Sequence, residues 1–72
     1  MVTLQQVHFK IRDLHRDRNS IPVDAILQAF NNEDIVTSHI EALRYIEMIE
    51  FDRFSPGEVK LTLNGELTNV PR

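Results

Sequence analysis

Three histidines are the side chains of this chain best suited to hold a metal or to move a proton near neutral pH. His8 and His15 stand seven residues apart, two turns of a helix, and so share one flank of it, while His39 lies in a later segment. Zinc centres draw on tighter constellations, in which thiolates or carboxylates complete the ligand set and outer hydrogen bonds orient it. The chain has no cysteine, which excludes thiolate ligands and disulfides alike. Histidines at the edge of a core are the plainer reading, and no metal or other cofactor is expected. No nucleophile is spaced with a base and an orienting group, and there is neither a glycine-rich phosphate loop nor a catalytic carboxylate pair. Gly57 and Gly65 read as turn residues. The chain is not expected to be an enzyme.

Charge is the other chemistry on offer, and it is unevenly placed. Eleven Asp and Glu against eight Lys and Arg leave a net charge of −3. Nucleic-acid binders ordinarily carry a basic stripe, because phosphate contacts supply most of their affinity. Here the first helical stretch holds Lys10, Arg12, Arg16 and Arg18 against Asp13 and Asp17, a net of +2. From Glu33 to Glu50, five acids (Glu33, Asp34, Glu41, Glu47, Glu50) face one base, Arg44, a net of −4.

The elements that must position these residues follow from apolar periodicity. Seventy-two residues, 42% hydrophobic and 26% charged, make one soluble domain spanning 1–72, near the lower limit for a chain that folds without staples. No apolar run approaches the roughly 18 residues of a membrane span. The opening Met1-Val2-Thr3-Leu4-Gln5-Gln6 lacks a basic and then apolar leader, so a cytoplasmic location is expected. A first helix is predicted from Leu4 to about Arg16, with Thr3 and Gln6 as a capping box and Leu4, Val7, Ile11 and Leu14 on one arc. Phe9 then points outward among Arg12, Asp13 and Arg16. Ile21, ahead of Pro22, is pushed out of helical geometry into a very short strand. A second helix begins near Pro22 or Val23, buries Val23, Ile26, Leu27 and Phe30, and ends at Asn31-Asn32. One of those asparagines caps a third helix, whose first turn gains from Glu33 and Asp34.

In the third helix Val36, Ile40, Leu43 and Ile46 form the apolar stripe, and the two-residue rhythm of strands follows in Ile49, Phe51, Val59, Leu61 and Leu63. Pairing Arg53 with Val59, Phe51 with Leu61 and Ile49 with Leu63 puts the apolar residues on one side. That pairing requires an odd-length loop, Phe54 to Glu58, with Phe54 near its tip. Pro71 and Arg72 read as a frayed end.

From about Ile21 onward the chain resembles the winged helix-turn-helix family of bacterial transcriptional regulators. The resemblance rests on Val36-Thr37-Ser38-His39-Ile40-Glu41-Ala42-Leu43 with Met48-Ile49, and on Leu61-Thr62-Leu63-Asn64-Gly65. It implies an α+β fold of three helices and a C-terminal two-stranded wing, with a short third strand near Ile21. It also implies that the third helix meets duplex DNA. Steps of 100° per residue place Asp34, Thr37, Ser38, Glu41, Tyr45 and Met48 opposite the core stripe, with Arg44 on the edge. Thr37, Ser38, Glu41, Arg44 and Tyr45 are then the candidate base contacts, and Arg53 and Lys60 the wing's phosphate contacts. The first helix is the usual dimerisation element of such regulators, which makes outward Phe9 the candidate homodimer contact.

Two departures bear on this. Glu47 stands where the family usually has a helix-ending glycine, which suggests modest strain or a different helix end. The acidic third helix would meet phosphate repulsion. The first expectation is a small DNA-binding transcriptional regulator. The alternative is a winged-helix module that contacts a basic or apolar protein partner through its acidic third helix and wing tip. The charge on that face discriminates between them.

Overall fold

The computed structural model describes residues 2–68, so the expectation for Pro71 and Arg72 lies outside the described residues. The elements run α1 (Leu4–His15), β1 (Ile21–Pro22), α2 (Val23–Gln28), α3 (Glu33–Tyr45), β2 (Ile49–Phe51), β3 (Glu58–Leu61) and α4 (Leu63–Leu67). Among the described residues this is an α+β arrangement of four helices and one antiparallel sheet in the order β1–β3–β2. The sequence led to three helices, and α4 is the addition.

Local chemistry accounts for the helix starts. The Thr3 hydroxyl accepts from the Gln6 amide while the Gln6 side chain accepts from the Thr3 amide, the reciprocal capping box read from the sequence. Asn32 caps α3 by accepting from the Ile35 amide. Pro22 precedes α2, which is shorter than expected: the Ala29 and Phe30 amides turn back to the Ile26 and Leu27 carbonyls, a tight three-residue closure that ends the helix before Phe30.

The end of α3 departs most from simple periodicity. The Met48 amide donates to the Leu43 carbonyl and the Glu47 amide to the Arg44 carbonyl, with Glu47 at φ 63°. This is the double-bonded helix stop in which the residue after the cap adopts left-handed geometry, a place glycine normally takes. Beyond it the 100° progression no longer applies. Met48, expected on the outer face, is 1% exposed in the core, and Ile46, expected inside, is 38% exposed.

The sheet keeps the expected faces but not the expected partners. Ile49 lies opposite Leu61, Glu50 opposite Lys60 and Phe51 opposite Val59, two residues away from the predicted pairing. A two-residue slip preserves the inward and outward alternation. The turn decides the register. The Asp52 amide bonds to the Glu58 carbonyl and the Glu58 amide to the Ser55 carbonyl, which leaves a five-residue loop, 53–57, with Gly57 at φ 81°. At the other end Thr62 caps α4 by accepting from the Gly65 amide. Leu63, expected in the strand opposite Ile49, is therefore helical and 70% exposed.

Val7, Ile11, Ile21, Ile26, Val36, Ile40, Leu43, Met48, Ile49, Val59 and Leu61 form the core. Leu4, Leu14, Val23, Leu27 and Phe30 pack partly buried against it. Of the expected core, Ile46, Phe51 and Leu63 lie outside it. Gly65 is a packing requirement rather than a turn residue, since a Cβ there would sit 1.9 Å from the Met48 carbonyl oxygen.

Candidate interaction face

The three histidines are committed to three separate structural contacts. His8, expected at the core edge, is fully buried, and its Nε2 lies 2.8 Å from the Gly65 carbonyl. A carbonyl only accepts, so Nε2 carries the proton and Nδ1 is left bare; Nδ1 has no hydrogen-bond partner among the described residues. Burial holds the His8 pKa below its usual value, the Gly65 bond opposes that shift, and the Arg12 charge adds to it. Arg12 also donates to the Gly65 and Thr68 carbonyls, and His15 lies 3.8 Å from Glu66. His8, Arg12 and His15 together fasten α4 to α1. His39 bonds to the Val2 carbonyl at 3.1 Å. No cluster of three metal-ligating side chains is found among the described residues, and no described helix is long and apolar enough to cross a membrane.

The residues expected to meet DNA are exposed, except for the half-buried Lys60, but they do not form one free basic surface. Thr37 and Ser38 lie on the outer side of α3. Arg44 is 3.8 Å from Glu41 and lies over the Phe51 ring, 4.7 Å from its centroid. Lys60 is 3.9 Å from the largely buried Asp52. Arg53 sits exposed in the 53–57 loop. Exposed ion pairs are weak, about 0–1 kcal/mol, yet two of the three bases on this side are already neutralised by the chain's own carboxylates. Glu33, Asp34, Glu41, Glu47 and Glu50 are all exposed along the same stretch.

The face also displays two aromatic rings. Tyr45 is 88% and Phe54 91% exposed. An open groove of about 620 Å³ is lined by residues of the α3 end, β2, the 53–57 loop and the start of α4, including Arg44, Glu47, Glu50, Phe51, Arg53 and Leu63. Tyr45 lines a separate small depression with Glu41 and Arg44, and Phe54 lines another with Arg53 and Lys60. Sequence reasoning missed Phe51 and Leu63 as surface residues. The available signal was Thr62 ahead of Leu63 and Leu67, a capping residue followed by an i, i+4 pair. Phe9 does face outward, partly covered by the Arg12 guanidinium 5.8 Å above its ring.

No protein-family model, curated protein or solved structure matches this chain.

Proposed function

We propose that this chain is a winged helix-turn-helix domain that works as a protein-docking module, with the outer side of α3, the groove and the 53–57 loop as its docking face. The observation that carries this reading is the exposure of Tyr45 and Phe54, each lining a depression that shares residues with a groove lined by Phe51, Leu63 and the charged side chains of Arg44, Glu47, Glu50 and Arg53. Aromatic and arginine side chains are the usual anchors of protein interfaces. Five exposed acids on α3, β2 and the turn between them, with Arg44 and Lys60 already paired, oppose the phosphate contacts that DNA binding requires.

The second reading is DNA binding and transcriptional regulation. Its support is the order of elements: α3 lies ahead of a β2–β3 hairpin and β1 pairs with β3, while Thr37 and Ser38 remain exposed on α3. A salt-dependent mobility shift with random-sequence duplex DNA separates the two. Docking requires no shift at low salt. It also requires that a photo-crosslinker at Tyr45 or Phe54 capture one protein that is not captured from Asp17, and that this protein bind the purified chain directly. A shift at low salt that Lys60→Ala weakens equally on all sequences would overturn the docking reading in favour of DNA.

A further inference from the structure

Polar bonds hold α4 in place, because its side chains bury nothing. Leu63, Asn64, Glu66 and Leu67 are all exposed, and Gly65 is its one buried residue. With no Cβ to keep it off the Met48 carbonyl, the Gly65 backbone comes close enough to meet α1. Its carbonyl takes a bond from His8 at 2.8 Å and one from Arg12 at 3.1 Å, and the Thr68 carbonyl takes another from Arg12 at 3.2 Å. The last carbonyls of a helix have no helical partners, and here α1 supplies them. His15 lies 3.8 Å from Glu66. At the start of α4 the Thr62 hydroxyl donates to the Glu47 carbonyl, and the Asn64 side-chain amide donates to the Ile46 carbonyl. A helix of five residues does not persist in water by itself. α4 is therefore either docked and helical or free and unwound.

We propose that α4 is a clasp that opens as one unit while the rest of the domain stays folded, and that acid opens it through His8. In the closed state the His8 ring is fully buried, and its Nδ1 has no hydrogen-bond partner among the described residues. A second proton on that ring would be buried without an acceptor. The charge that acts on it is that of Arg12, which repels such a proton. Elsewhere around α1, the elements α2, α3, β1 and β3 turn apolar residues to the core, and His39 of α3 is engaged with the Val2 carbonyl. Burial and Arg12 therefore keep the closed ring neutral against the pull of the Gly65 bond. With α4 detached, Nε2 meets water and the ring takes its second proton near the ordinary 6.5. Closure is whole above that pH and weakens as pH falls below it. The His15–Glu66 pair works the other way, since a protonated His15 attracts Glu66. Opening takes Leu63 and Asn64 out of the groove and uncovers Leu61, which lies against Gly65. It does not depend on what the groove binds.

The test is native-state amide exchange on the full chain, isotope-labelled, with each rate divided into that of an unstructured chain at the same pH. The Glu66 and Thr68 amides bond to Thr62 and Asn64 within α4. They are expected to be roughly tenfold or more less protected than Ile40 and Leu43 of α3. Their protection should fall about five- to tenfold from about pH 7.5 to about pH 5.5. His8→Gln keeps a donor for Gly65 without a titrating ring and removes that fall, whereas His15→Gln retains it. Leu67→Ala, at an exposed side chain, leaves α4 protection within about twofold of wild type. Protection of Glu66 and Thr68 equal to that of α3 overturns the clasp, as does a larger loss in Leu67→Ala. A fall that survives His8→Gln, or that His15→Gln abolishes, overturns the role of His8. Should His8→Gln fail to fold, the wild-type profile decides. Protection must be level above about pH 6.5 and fall below it, and a profile that stays level until the carboxylate range near about pH 4 overturns the proposal.

Discussion

Replacing Glu47 with glycine should stabilise this domain. Glu47 sits at φ 63°, where an L side chain brings Cβ against the following carbonyl at a cost of about 1–2 kcal/mol. Glycine avoids that clash but gives back part of the gain through the greater freedom of its unfolded chain, about 0.4–1 kcal/mol. The net expectation is roughly 0.5–1 kcal/mol in favour of glycine. The side chain is exposed, so no packing is lost, and the bonds to Leu43 and Arg44 that stop the helix are made by the backbone. In a domain of this size each kcal/mol moves Tm by about 4–8 °C, which predicts a rise of about 2–8 °C in thermal melts followed by circular dichroism. Glu47→Ala serves as the control, because it removes the carboxylate and keeps the Cβ. A glycine variant that melts no higher than wild type, or an alanine variant that matches it, would refute the strain argument.

Gly65→Ala should act in the opposite direction. Its new methyl meets the Met48 carbonyl at 1.9 Å, and overpacking of this kind costs about 1–3 kcal/mol. A lower Tm with faster amide exchange at Glu66 and Thr68 is the expected signature. Stability should also fall with acid through His8. Its pKa is lowered from 6.5 in the folded chain, so below that pH the unfolded chain takes up a proton that the folded chain resists. This contribution is whole above pH 6.5 and declines as pH falls toward the folded value. Comparing wild type with His8→Gln between about pH 7.5 and about pH 5 isolates it, and equal slopes for the two would count against the buried neutral imidazole. If Phe9 mediates a homodimer, Phe9→Asp should yield monomers of unchanged fold by light scattering, and a wild-type monomer at high concentration removes that contact.

The parts legible in the sequence are those governed by local rules. Thr3 with Gln6 and the pair Asn31-Asn32 ahead of Glu33 marked the starts of α1 and α3, because capping needs only neighbours; the structure selects Asn32 of the pair. Strand parity was legible for the same reason, but parity cannot distinguish registers two residues apart, and the Asp52 and Ser55 bonds that choose between them belong to the loop. α4 was hidden because Leu61-Thr62-Leu63 continues the strand rhythm, while the exposed pair Leu63 and Leu67 gives no inward stripe to read. Met48 was misplaced because angular steps hold only while a helix continues. At the candidate site, exposure of Thr37, Ser38, Glu41, Arg44 and Tyr45 was legible. The stacking of Arg44 on Phe51 and the groove beside it were not, since both arise from segments brought together only by the fold.

Glu47 connects the strain to the groove. A non-glycine residue in left-handed geometry is held there at a cost, and such outliers are found where the side chain is put to use. Glu47 lines the same groove as Glu50, Arg44 and Arg53, on the face where the docking reading places a partner. Glycine at 47 removes one of the two carboxylates of that groove and leaves both arginines. Glu47→Gly should therefore separate the two properties, gaining thermal stability while binding the protein captured through Tyr45 or Phe54 more weakly than wild type does. Titration of the stabilised variant with that protein checks this. Stabilisation without loss of affinity would mean that the strained carboxylate serves no partner, and that the helix ends on Glu47 for reasons of backbone alone.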